Sequence, residues 1–215
     1  MNNVTSYAYD KSNGWNEAWQ NKLFRAKVIA GIITFIALVL FLPSFFAFIE
    51  TREGAVINDY FLQYVPAQDF SAPIFIIIWS SCLLVIVRSI QQPAIFLTVL
   101  FSLVLLLLTR IASIYFVPLN PPHGLIVLID PLTSLTYGGR GIFITKDLFF
   151  SGHTSNVFMF YLCLQKKKDK AFLLLGSITV GFLVLAQHVH YTMDVIAAFI
   201  ITYFLVKLVK KALSF

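Results

Sequence analysis

Apolar runs of about 20 residues recur along the chain. That is the length of helix needed to cross the ~30 Å hydrocarbon core of a bilayer. Six candidates can be drawn, at 27–48, 72–87, 93–114, 152–164, 171–187 and 194–213, the fourth being short enough that its helix is expected to begin a few residues earlier. Lipid offers backbone groups no hydrogen-bond partner, so spanning segments are helices or closed barrels, and barrel-type alternation is absent here. Only 12% of the 215 residues are charged and 59% are hydrophobic, against about 25% charged in soluble domains. The expected fold class is an all-α integral membrane protein with six transmembrane helices. Residues 1–23 read as a cytoplasmic or interfacial N-terminal segment and 24–215 as the membrane domain. The opening stretch is polar with scattered Tyr7, Tyr9, Trp15 and Trp19. It lacks the basic start, apolar core and cleavage site of a signal peptide, so it is expected to be retained. Its 15–24 portion is expected to lie along the headgroups, the layer tryptophan favours.

Charge sets the orientation. With the N-terminus inside, twelve basic residues fall in inner segments (Lys11, Lys22, Arg25, Lys27, Arg88, Lys166, Lys167, Lys168, Lys170, Lys207, Lys210 and Lys211). Four fall outside: Arg52, Arg110, Arg140 and Lys146. This bias predicts both termini in the cytoplasm, N-in and C-in. The net charge of +6 is clustered between apolar runs rather than arranged as a basic stripe. It therefore reads as a topology signal and a contact for anionic lipid, not as a nucleic-acid footprint. Cys82 and Cys163 lie inside apolar runs and read as core filler. The same topology places His123, His153, His188 and His190 on the outer side, with Glu50, Glu53, Asp59, Asp69, Asp130, Asp147 and Asp194. Such a collection of titratable groups points to a site on the extracytoplasmic (periplasmic or lumenal) face.

Two short segments there carry chemistry. In Phe150-Ser151-Gly152-His153-Thr154, Ser151 suits an N-cap and Gly152 permits close backbone approach. The unpaired N–H groups of a helix start attract phosphate, with His153 beside it. In His188-Val189-His190-Tyr191-Thr192-Met193-Asp194, a helix starting near His190 would put His190 and Asp194 on one face at i, i+4. A carboxylate on one imidazole nitrogen leaves the other basic and nucleophilic. Zinc is not expected, because no further Cys or carboxylate cluster completes a set with His188 and His190.

Together these segments resemble the PAP2 lipid phosphatase and phosphotransferase superfamily, and within it the sphingomyelin-synthase branch. The matching residues are Ser151-Gly152-His153-Thr154, His190-Tyr191-Thr192-Met193-Asp194-Val195, Asp147 upstream, and Arg110-Ile111-Ala112-Ser113-Ile114-Tyr115 as a third-span motif; the likeness runs from about Arg110 to Thr202. It implies an enzyme without metal or other cofactor. His190 would attack phosphorus and form a phosphohistidine, Asp194 would orient His190, and His153 would act as general acid and then base. Arg110, Tyr115, Ser151, Gly152, Lys146, Arg140 and Asp147 are the expected substrate-binding residues, with Arg110 leading among the cations. Two departures stand out: Val184 occupies the position where the wider superfamily carries an arginine six residues before the nucleophile, and Arg110 is not followed by an Arg-Pro ending.

The implied activity is transfer of a phospho-headgroup from a glycerophospholipid donor to a lipid alcohol such as ceramide or diacylglycerol. The alternative is a lipid phosphatase, with water as acceptor. A transporter would carry polar residues deep in several spans, and these spans are nearly free of them. The Pro- and Gly-rich stretch 115–149, with Tyr137-Gly138-Gly139-Arg140-Gly141, is too long for a plain connector and is expected to cover the site; it lacks the ending of a P-loop. Asp69, Glu50, Glu53 and Asp59 could receive a cationic headgroup. Donor headgroup and acceptor stay open, and a homo-oligomer is compatible with all of this.

Overall fold

The long apolar runs do become helices. A computed structural model describes residues 14–128 and 144–213. Among them are seven α-helices: α1 (Trp15–Gln20), α2 (Lys22–Glu50), α3 (Ser71–Gln91), α4 (Pro93–Phe116), α5 (Gly152–Cys163), α6 (Lys167–Ala186) and α7 (Thr192–Ala212). Five of them (α2, α3, α4, α6 and α7) are long and apolar enough to cross a membrane. Local chemistry sets the ends. The Asn21 side chain accepts from Leu23 N at 2.8 Å and Phe24 N at 3.2 Å, starting α2, and Pro93 opens α4 where its missing N–H costs nothing.

The fourth apolar run behaves differently from expectation. Its helix begins at Gly152, not earlier, and has 12 residues, about 18 Å at 1.5 Å per residue. That is too short to cross alone. Its terminal carbonyls would be orphaned in an apolar interior, and two lysines from neighbouring helices meet them. Lys170 Nζ of α6 donates to Tyr161 O at 3.3 Å and Lys210 Nζ of α7 to Leu162 O at 2.5 Å. The same end of the bundle carries the Arg88–Asp169 ion pair at 2.6 Å between α3 and α6, and the Trp15 indole N–H on Ile90 O at 2.8 Å.

α4 is the hub, packed against α2, α3, α5 and α7. Its approach to α2 is close: a Cβ on Gly31 would lie 2.8 Å from Leu100 Cδ2, the small-residue contact that membrane helices use. The main core gathers Ile74, Leu106, Phe150, Val157, Leu173, Val180 and Ala198 from α3 to α7 and the stretch before α5. Exposed Ile33, Ile36, Leu40, Leu83, Leu175 and Phe204 form the apolar outer surface expected against lipid.

At the opposite end the connecting segments bind one another. Ala55 N donates to Pro118 O at 3.0 Å and Asn120 N to Ala55 O at 2.9 Å, and the Tyr191 hydroxyl donates to Asn120 O at 2.9 Å while accepting from Ile57 N at 3.2 Å. Gly54 makes this pairing possible, since a Cβ there would lie 2.5 Å from the Leu119 carbonyl carbon. Backbone cannot rotate aside as a side chain can. Gly54→Ala is therefore expected to lower the melting temperature of detergent-solubilised protein by several degrees, about 1–3 kcal/mol of overpacking. Gly14→Ala, where a Cβ meets nothing within 4 Å, should leave it in place. Equal melting of the two variants would contradict this packing.

Candidate active site

The stretch entering α5 is strung between α2 and α4. Glu50, the last residue of α2, accepts from Thr145 N at 2.6 Å, Lys146 N at 2.8 Å and Thr145 Oγ1 at 2.9 Å. Lys146 Nζ turns back to the end of α2 and donates to Glu50 O at 3.1 Å and to Arg52 O. It thus neutralises helix-end carbonyls. From α4, Arg110 donates to Phe150 O at 2.6 Å and to Asp147 Oδ1, and Ser113, one turn on, donates to Phe149 O at 2.7 Å. Arg110 is buried some six residues, about 9 Å, below the end of α4. A cation at that depth requires partners.

The guanidinium lies against the start of α5. A Cβ on Gly152 would come within 2.3 Å of Arg110 Nη1, so glycine is required for the arginine to reach the helix N-terminus. Ser151 is the N-cap, its hydroxyl accepting from Thr154 N at 3.4 Å. Ser151 N donates to Asp194 O at 3.2 Å. This bond fastens the first motif to the second.

The helix carrying Asp194 starts at Thr192 rather than near His190, with Tyr191 as N-cap. Asp194 caps it, Oδ2 accepting from Tyr191 N at 3.0 Å. His190 lies just outside the helix, yet its Nδ1 is 3.5 Å from the same Oδ2, both side chains being buried. This is ion-pair distance without a formed hydrogen bond: among the described residues His190 Nδ1 and Asp194 Oδ1 have no hydrogen-bond partner, and small movements would close the contact. The His153 and His190 rings stand 6.2 Å apart between centroids, and Phe75 packs edge-on to His153 at 6.3 Å. A cavity of about 250 Å³ opens beside His153, with Arg110, Asp147, His153 and Asn156 as its polar lining and Phe45, Phe75, Leu106 and Ile111 among its apolar walls; His190 lies behind His153 and does not line it.

His153, His190 and Asp194 are thus brought together, with Arg110, Asp147, Ser151 and Gly152 beside them. Tyr115 lies apart from the two histidines, on the wall of an apolar groove between α2 and α4. It is half exposed at the end of α4, stacked on Phe48 at 6.4 Å with the Arg52 guanidinium 5.2 Å from its ring centre. Arg140 and the glycine run around it, with Asp130, lie outside the described residues. Three of the outer carboxylates are engaged by backbone: Glu50 as above, Asp59 by Thr192 N at 2.6 Å, and Asp69 by Ser71 N at 2.8 Å. The Ser71 hydroxyl, then its N–H, holds the Asp69 carboxyl below its ordinary range. Burial pushes the Tyr191 phenol up, consistent with its role as a hydroxyl donor. His188, in the left-handed region at φ 57°, has Nδ1 2.8 Å from His123 O and Nε2 2.8 Å from Val65 O. Neither nitrogen is left for a ligand; the ring staples three connecting segments. Sequence reading missed Asn156, whose only signal was its place one turn after His153.

Residues 146–212, less than half of the chain, match the family model for the PAP2 superfamily C-terminal region, and this stretch contains His153, His190 and Asp194. No curated protein and no solved structure gave a match. The family match suggests phosphatase or phosphotransferase chemistry. Gly152→Ala must displace Arg110, and misplacement by about 1 Å can cost about 10²-fold. Turnover of lipid phosphate esters by this variant should fall by about that factor while the protein stays folded. Unchanged turnover would detach Arg110 from the site.

Proposed function

We propose that this chain is a membrane-embedded lipid phosphotransferase of the sphingomyelin-synthase-like kind, working on the extracytoplasmic face. The carrying observation is the meeting of His153 and His190, from two separate helix starts, with His153 lining a largely apolar cavity whose polar lining includes one guanidinium. The lysines at the far ends of α5, α6 and α7 support the sidedness, since basic residues favour the cytoplasm.

In the first half-reaction His190 attacks the phosphorus of a glycerophospholipid. The bond from phosphorus to the glycerolipid oxygen breaks, and that oxygen takes a proton from His153. Asp194 stabilises the cationic phosphohistidine through Nδ1, a contact that tightens as charge develops. In the second, a lipid alcohol gives its proton to His153 and its oxygen attacks phosphorus, releasing neutral His190. An attacked phosphorus sits about 3–3.5 Å from its nucleophile, a spacing that the separation of the two rings accommodates. Arg110 and the N-terminus of α5 face the anionic phosphoryl oxygens.

The Arg110 charge is already shared with Asp147, and Val184, where the wider superfamily has arginine, is a fully buried apolar residue. Little positive charge is left to compensate a dianion, and uncompensated buried charge is costly. A singly charged diester donor suits this site better than phosphatidate. With ceramide, or a diacylglycerol of acyl chains distinct from the donor's, supplied, the initial rate on phosphatidylcholine or phosphatidylethanolamine should exceed that on phosphatidate by about tenfold or more, ~1.4 kcal/mol in the barrier, and acceptor-dependent product should form. Faster release of inorganic phosphate from phosphatidate, with no such product, would instead assign a phosphatase.

A further inference from the structure

Asn156 lies on α5 three residues beyond His153, lines the same cavity and is partly buried. Its side-chain amide makes no hydrogen bond to any described residue, whereas Arg110 and Asp147 beside it are committed to each other. Its amide atoms remain accessible, and a molecule bound in the cavity would supply hydrogen-bond partners for them. α5 runs from the site toward the opposite end of the bundle, so Asn156 lies about 4.5 Å farther into the protein than His153. The cavity also has a neighbour on the lipid-facing surface. A neighbouring apolar groove of about 480 Å³ between α2 and α4 shares Phe45 and Ile111 with it, and its walls include half-exposed Phe41, Phe48 and Leu108.

We propose that Asn156 selects the acceptor: its amide binds the carbonyl or N–H next to the hydroxyl of a lipid alcohol whose chain lies along the α2–α4 groove, placing that hydroxyl at His153. This rests on the transferase reading above. A carboxamide both donates and accepts. It therefore suits an amide-bearing or ester-bearing alcohol and gives nothing to an ether analogue. It is also neutral, so it adds no charge beside the phosphoryl group. The chemistry is that of the second half-reaction: the acceptor O–H proton passes to His153, the O–P bond forms and the P–N bond to His190 breaks.

The test compares wild type, Asn156→Leu and Asn156→Gln in detergent or vesicles containing phosphatidylcholine. The acceptors are ceramide, a diacylglycerol whose acyl chains differ from those of the donor so that the exchange product is distinguishable, and a dialkyl-ether glycerol, and each assay measures the partition of donor between lipid product and hydrolysis. The wild type should prefer the amide or the ester acceptor to the ether by about tenfold, the worth of one hydrogen bond to the bound acceptor. The two arms tell which of them is used. Asn156→Leu should abolish that preference by raising the acceptor KM for the preferred lipid alone, and Asn156→Gln should restore part of it. Undiminished discrimination by Asn156→Leu overturns the inference while leaving the transferase reading standing. An equal loss with all three acceptors, with phosphoenzyme formation falling in parallel, overturns it in favour of a role at the donor phosphate. Wild type that yields only hydrolysis products overturns the transferase reading and this inference with it.

Discussion

A single buried guanidinium joins the parts of this site. Arg110 projects from the central helix α4, below its end, and meets the Asp147 carboxylate, the Phe150 carbonyl and the bare backbone of Gly152. An unpaired cation would be expensive there. The segment before α5 must therefore supply both anionic and carbonyl partners, which sets the path of residues 147–152. That path fixes where α5 starts and hence where His153 stands. Ser151 N on Asp194 O then ties α5 to α7, so α4, α5 and α7 are registered against one another at the point where the two histidines meet.

The rest of the architecture can be read as support for that junction. Glu50 and Lys146 form a reciprocal clasp between the end of α2 and the incoming segment. His188 and Tyr191 draw the connecting segments over α7 through carbonyl contacts. At the far end Lys170 and Lys210 satisfy the last carbonyls of α5, allowing a 12-residue helix to stop inside the bundle. Its start is therefore held at a set depth, where His190 and Asp194 are buried.

Much of this was legible in the sequence because the signals are local. Five long apolar stretches appear as helices near the expected places, and the Ser-Gly-His-Thr and His-Tyr-Thr-Met-Asp segments come together. What was not legible depends on distant partners. The length of α5 is set by lysines from two other helices, not by its own apolar run. Lys146 reads as a free cation for phosphate until Glu50 and Arg52 are seen to present carbonyls to it. Tyr115 sits in a motif with Arg110, but five residues along a helix turn it about 140° away, toward Phe48, Arg52 and the apolar groove between α2 and α4. His190 and Asp194 meet, though through a capped helix start rather than along a helix face, because Tyr191 N competes for the same carboxylate oxygen. Asn156 carries no motif at all; only the cavity reveals it.

The account turns on His190 as the atom-accepting nucleophile and His153 as its proton partner. Purified protein can be mixed briefly with a donor labelled in its headgroup phosphate, denatured at alkaline pH, where phosphohistidine survives, and digested for peptide mapping. The label is expected on the peptide containing His190. It should be absent from His190→Ala and present at a reduced level in His153→Ala, because loss of a general acid leaves about 10⁻²–10⁻⁴ of the rate. Label on His153, or its persistence in His190→Ala, would contradict the account.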